Sequence, residues 1–277
     1  MSGFDFVYGV DFSGAKLAGL NAWVATVELS RKRLVALDRL GDLAGGDARG
    51  VALDHLSKMI LGTERALWGM DFPFALPLEV VEARWKFADQ LRWLRDQPDD
   101  AYAFGRSLCD VAVGRGHRMH VRRDTDKETK TPFDCYHYRI VCQTFYGMRD
   151  VLGVIHRSSG TMIAPFDPLP VAFERAVVEA CPGSTLKRWG VPHNNYKQPA
   201  GGPLEAKRLK NRRIILERLR ESVEISPTFL RKIQRNPGGD ALDAVIAAAG
   251  AWESWQATDF EEIARHPRYK REGRIFA

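Results

Sequence analysis

The first 77 residues follow an order that few architectures accept. Phe6 to Val10 is apolar apart from Gly9 and stops at Asp11-Phe12-Ser13-Gly14; Asn21 to Leu29 is rich in β-formers, and Arg33 to Leu40 makes a third run. Short polar or glycine-containing joints separate the three runs, which predicts an antiparallel meander. Residues 47–61 then place Val51, Leu53, Leu56, Met59 and Ile60 close to helical spacing. Arg65 to Met70 reads as a buried strand that ends at Asp71-Phe72-Pro73, with Pro73 and Pro77 marking the exit. Three hairpin-joined strands followed by a helical crossover to a fourth strand imply a mixed sheet with helices packed on it.

The remainder fits the same layer plan. Residues 79–96 predict a helix rich in Trp and Arg, Gly114 to Pro132 an exposed basic loop, and 136–157 further helix. Residues 173–180 predict a fifth strand, stopped by Cys181-Pro182-Gly183. A Pro- and Gly-rich loop at 190–203, a strongly basic helix at 204–222 and a last helix from Asp240 to about Trp255 complete the chain. With no internal repeat and no low-complexity linker, residues 1–277 read as a single α/β domain: a five-stranded mixed sheet in the order β-β-β-α-β-α-β-α, flanked by helices, with a mostly helical insertion at about 98–160.

Composition narrows the class. At 45% hydrophobic residues the chain has enough apolar surface for a core, so disorder is excluded as its main state. No apolar run approaches the ~18 residues of a membrane span. The opening Met-Ser-Gly-Phe-Asp lacks the basic and apolar segments of a secretory signal. Together with four sparse cysteines (109, 135, 142 and 181), this predicts a cytoplasmic protein with free thiols. Cys135, His137 and Cys142 match no standard zinc spacing. The net charge of +6 suits a polyanionic partner.

Carboxylates at the ends of apolar elements carry the chemistry. Asp11 ends the first strand and Asp71 the fourth, while Asp240 and Asp243 are the only charges between Asp240 and Trp252. Local roles are open to each: turn residues for Asp11 and Asp71, and a capping box for the Asp240/Asp243 pair. If strands one and four are parallel neighbours, however, Asp11 and Asp71 meet in one crevice, and a helix packed on that sheet brings Asp243, with Asp240 beside it. Clustered carboxylates raise each other's pKa values. A divalent cation relieves the repulsion, and oxygen-only ligands suit Mg²⁺ or Mn²⁺. Two such ions can clamp the attacking and leaving oxygens of a phosphodiester.

These motifs resemble the ribonuclease H-like superfamily. The resemblance is closest to an uncharacterised domain family of predicted RNase H-like nucleases, on Gly9-Val10-Asp11, Asp71-Phe72-Pro73, Glu179-Ala180-Cys181-Pro182 and Asp240 to Ala244. The last of these is also similar to the acidic helix of Holliday-junction resolvases. The resemblance implies a metal-dependent nuclease acting by a two-metal mechanism, with Asp11, Asp71, Asp240 and Asp243 as metal ligands. It also leaves a homodimer open. Glu179, at a strand end, either joins the cluster as a catalytic carboxylate or pairs with an arginine.

Basic segments supply the expected nucleic-acid surface, whether for DNA or RNA. The 204–222 helix holds seven bases against three acids, among them Lys207, Arg208, Lys210, Arg212 and Arg213. The 115–130 segment holds six bases against three acids, including Arg122 and Arg123. Contacts of this type position phosphates without reading sequence. Lys16 and Lys207 are candidates for stabilising the phosphate under attack. Two other readings use the same residues: an actin-like ATPase or small-molecule phosphotransferase with Asp11 to Lys16 as a phosphate hairpin, and a non-catalytic nucleic-acid-binding module.

Overall fold

The computed structural model describes residues 3–167, 172–199 and 201–277; Met1 and Ser2 of the chain start and Ala200 of the 190–203 loop lie outside the described residues. Its centre is a mixed sheet of β1 (Phe6–Asp11), β2 (Trp23–Glu28), β3 (Arg33–Arg39), β4 (Ala66–Met70), β5 (Thr161–Ile163) and β6 (Arg175–Glu179). The spatial order is β3-β2-β1-β4-β6-β5. β2 is antiparallel to both of its neighbours, whereas β1, β4, β6 and β5 run parallel. The expected five strands are therefore six. The addition, β5, is only three residues long, too short for a sequence period to reveal.

The parallel strands are largely apolar because both faces of the sheet are covered. On one face Val10, Trp68, Met70 and Val177 meet the crossover helix Arg49–Leu61 and the helices of the inserted region. On the other, Val7, Leu67, Ala176 and Val178 meet the last helix, Asp240–Ala257. That helix is rich in alanine for a geometric reason. A Cβ on Gly9 of β1 would stand 2.0 Å from the Ala244 carbonyl oxygen and 2.3 Å from the Ala248 nitrogen, and one on Gly69 of β4 would stand 2.7 Å from the Ala251 Cβ. Glycine in the strands and alanine on the helix let the two backbones come together at a distance larger side chains would forbid.

The stretch between β4 and β5 departs from expectation in three places. The 79–96 helix is confined to Phe87–Arg95, where Asp89 accepts a hydrogen bond from the Lys86 N–H at 3.0 Å. Helix in the 136–157 stretch begins only at Val141 and continues through a π-helical turn at Gly147–Leu152. The Gly114–Pro132 stretch is not simply an exposed loop, since it contains the short helix Asp124–Glu128 and a fully buried Arg123. The basic helix spans Ala206–Arg220. No helix among the described residues is long and apolar enough to cross a membrane.

Candidate functional site

The carboxyl ends of β1 and β4 lie side by side, with Val10 opposite Met70 and the Asp71 N–H donating to the Val10 carbonyl at 2.9 Å. Asp11 and Asp71 therefore leave the sheet at the same level. Alternation along the strands aims both toward the face that carries Val7 and Leu67, which is the face covered by the last helix. The contact of Gly9 with Ala244 and Ala248 fixes the helix so that its first turn overhangs these strand ends. Asp243 is buried there, while Asp11 and Asp71 are half-buried.

The helix start shows why its aspartates are free for this role. Gly239, at φ +95°, is the N-cap, and the Asn236 side-chain oxygen accepts from the N–H groups of Gly239 at 2.8 Å and Ala241 at 3.2 Å. Asn236 thus satisfies donors that a capping aspartate would otherwise take. Asp240 accepts from the Asn236 side-chain amide at 3.3 Å, and Asp243 turns inward.

Electrostatics place the acids in one neighbourhood. Burial raises the pKa of Asp11, and Asp243, Asp71 and Asp240 raise it further, against the opposing pull of Lys197. Burial and the Asp243 charge push Asp71 up to about 7. Asp243 is also raised by burial, with Lys197 and Tyr196 acting in the opposite direction.

Lys197 is the residue that sequence reasoning missed. Its ammonium pairs with Asp243 Oδ2, and the Tyr196 hydroxyl donates to Asp243 Oδ1 at 2.8 Å. Both come from the 190–203 loop, whose Pro and Gly content gives no sign of a site. Two members of the predicted phosphate surface hold them in place. Arg212 is buried and donates to the carbonyls of Tyr196 at 2.7 Å, Ile233 at 3.1 Å, Asn236 at 2.9 Å and Pro237 at 2.7 Å, and Arg208 donates to the Lys197 carbonyl. Arg212 is therefore an internal brace, not a phosphate contact. Lys207, Lys210 and Arg213 are exposed on the same helix, and Arg122 is exposed on the insertion.

Glu179 takes the second of its two expected courses. β6 pairs with β4 so that Glu179 lies opposite Met70, one step before Asp71, and its side chain enters the opposite face. Arg123 Nη2 reaches its Oε1 at 2.5 Å, while Arg123 Nη1 and the Phe74 N–H reach its Oε2 at 2.8 and 2.9 Å. Asp126 closes the network at 2.8 Å from Arg123 Nη2. Arg123 is unavailable to a nucleic acid for the same reason, being wholly buried between two carboxylates.

A cavity of about 300 Å³ opens at these strand ends, and Asp71, Asp243, Lys197, Tyr196, Arg123 and Glu179 are among the residues that line it. Cys181 also borders it; burial pushes its thiol up to about 12, so at neutral pH it is protonated in the metal-free protein. The carboxylates of Asp71 and Asp243 line the cavity, and Asp11, at the neighbouring strand end, is close enough for their charges to raise its pKa; oxygen donors of this kind suit a hard divalent cation. Among the described residues no three His, Cys, Asp or Glu side chains are drawn tightly enough together to hold a metal ion as they stand, and this includes the Cys135, His137 and Cys142 group. The acids share a crevice with an ammonium among them instead of forming a closed cage.

Comparison with protein-family models, with curated proteins and with solved structures gives no match.

Proposed function

We propose that the chain is a divalent-metal-dependent nuclease hydrolysing phosphodiester bonds of nucleic acid, built on a ribonuclease H-like sheet. The observation that carries this reading is the convergence of Asp11, Asp71 and Asp243, from three distant segments, at the carboxyl ends of two parallel strands. The meander β1-β2-β3, with β4 and β6 added parallel on the far side of β1, supports the fold assignment, with β5 as an extra edge strand.

Asp11, Asp71 and Asp243 would hold Mg²⁺ or Mn²⁺, which when bound polarises the phosphodiester and activates water. The chain's own groups prepare that chemistry. Tyr196 fixes the Asp243 carboxylate by its hydroxyl, Lys197 offsets negative charge beside it, and Asn236 leaves Asp240 and Asp243 free of capping duty. Exposed Lys207, Lys210 and Arg213 would track the polyanion outside the crevice.

The test is cleavage of labelled single-stranded, duplex and junction DNA and of RNA, with and without Mn²⁺, by the wild type and by Asp11→Asn. Metal-stimulated cleavage lost in the variant is the expected result. Cleavage by Asp11→Asn at the wild-type rate would place the activity elsewhere.

A further inference from the structure

Lys197 is not a ligand of any cation, yet it is firmly rooted among the acids. Arg208 holds its carbonyl, Arg212 holds the preceding carbonyl, and the next N–H, that of Gln198, donates to Pro237 at 2.8 Å. Its stem crosses Gly239, where a Cβ would stand 2.8 Å from Lys197 Cγ and where φ is +95°. Glycine is needed there twice, for the backbone conformation and for the groove that admits the stem. The side chain as a whole is not fully enclosed, 38% of it remaining exposed. Burial disfavours the ammonium, but attraction to Asp243 and Asp11 prevails and keeps it charged.

Both Asp243 oxygens are already engaged, Oδ1 by Tyr196 and Oδ2 by Lys197. A divalent ion taking Oδ2 would stand directly against the ammonium, and two cations that close repel strongly in a low-dielectric crevice. A lysine pinned at its backbone, with a flexible four-carbon stem and a partly exposed side chain, is able to swing its charge away while its root stays in place.

We propose that Lys197 is the resident counter-cation of the cluster: it holds Asp243 in the metal-free protein, is displaced by a divalent ion, and then offers its ammonium to the substrate phosphate. This rests on the metal-nuclease reading above and adds to it a specific competition at one carboxylate oxygen.

The experiment is a calorimetric Mn²⁺ titration of the full chain as wild type, Lys197→Met and Lys197→Arg. It is paired with mass-spectrometric measurement of amine acylation at Lys197 in the wild type with and without Mn²⁺. Removing the competing charge is expected to tighten Mn²⁺ binding roughly tenfold or more in Lys197→Met. Lys197→Arg should bind no tighter than wild type, and Mn²⁺ should raise acylation of Lys197 severalfold. A folded Lys197→Met that binds Mn²⁺ no better than wild type, or acylation unmoved by saturating Mn²⁺, overturns the inference and leaves the nuclease reading standing. Should Lys197→Met not fold, the acylation measurement on wild type decides alone. Absence of Mn²⁺ binding in both proteins defeats the metal reading and this inference with it, whereas binding by the methionine variant alone supports both.

Discussion

Asp71 and Glu179 are separated by one step of strand register, and that step puts their carboxylates on opposite faces of the sheet. Glu179 lies opposite Met70 and meets Arg123; Asp71, one residue further, enters the crevice under the last helix. Two acids at the ends of adjacent parallel strands thus have different tasks, one electrostatic and structural, the other a candidate ligand.

Glu179→Gln separates these tasks. It leaves Arg123 with a weakened partner in a buried network, a defect expected to cost about 3 kcal/mol of stability. Mn²⁺ binding should persist with only a modest change in affinity, because Glu179 is not a ligand and acts on Asp71 through its charge alone. Urea denaturation and calorimetric Mn²⁺ titration check the two halves. A variant of unchanged stability that cannot bind Mn²⁺ would return Glu179 to the cluster.

Asp71 gives the metal-free protein a specific pH response. Its folded pKa, about 7, lies above the ordinary carboxylate value of 3.8. The folded state therefore holds its proton more tightly than the unfolded state. Stability from this group is complete below about pH 4 and is lost as pH rises through about 7. Melting curves of wild type and Asp71→Asn across this range should diverge, with the wild type losing ground toward alkaline pH. Saturating Mg²⁺ should reverse the trend by favouring the ionised carboxylate. Parallel curves for the two proteins would show that Asp71 does not titrate in the window.

Gly9→Ala tests the close seating of the last helix. The added Cβ would fall 2.0 Å from a backbone oxygen, so the helix must shift and not merely a side chain. Overpacking of this kind costs about 1–3 kcal/mol. Asp243 moves with its helix, so Mn²⁺ affinity should fall even though no ligand is altered. Full metal affinity in a destabilised Gly9→Ala protein would show that the crevice tolerates helix movement.

The basic helix should divide into two classes of residue. Neutralising exposed Lys210 and Arg213 together is expected to lower the salt dependence of nucleic-acid binding by a slope of about 2, with little effect on folding. Arg212→Gln should instead destabilise the protein, because its buried guanidinium serves four carbonyls. Filter binding across a salt series and thermal melting distinguish the two. An unchanged salt slope in the double variant would remove this face from the binding surface.

The elements that sequence periodicity located best were those long enough to show a period. The meander, the crossover helix and the last helix lie within a few residues of expectation, and Asp11, Asp71 and Asp243 were legible because charges seldom end apolar runs without a reason. Lys197 was not legible: a lysine in a Pro- and Gly-rich loop looks solvated until the fold carries it to Asp243. Arg123 and Arg212 misled in the opposite direction, since a count of bases does not say which guanidinium will find buried acceptors. Glu179 was half legible. Its strand end was plain, but its face depended on the pairing of β6 with β4, which no single strand reveals.

The four-carbonyl grip of Arg212 has a mechanical corollary. One guanidinium rivets the Tyr196 segment to the turn that launches the acidic helix, so the two travel as a unit whatever happens between them. Substitutions in the stretch leading from Gln198 into the basic helix are accordingly expected to leave the Tyr196 segment seated on that turn.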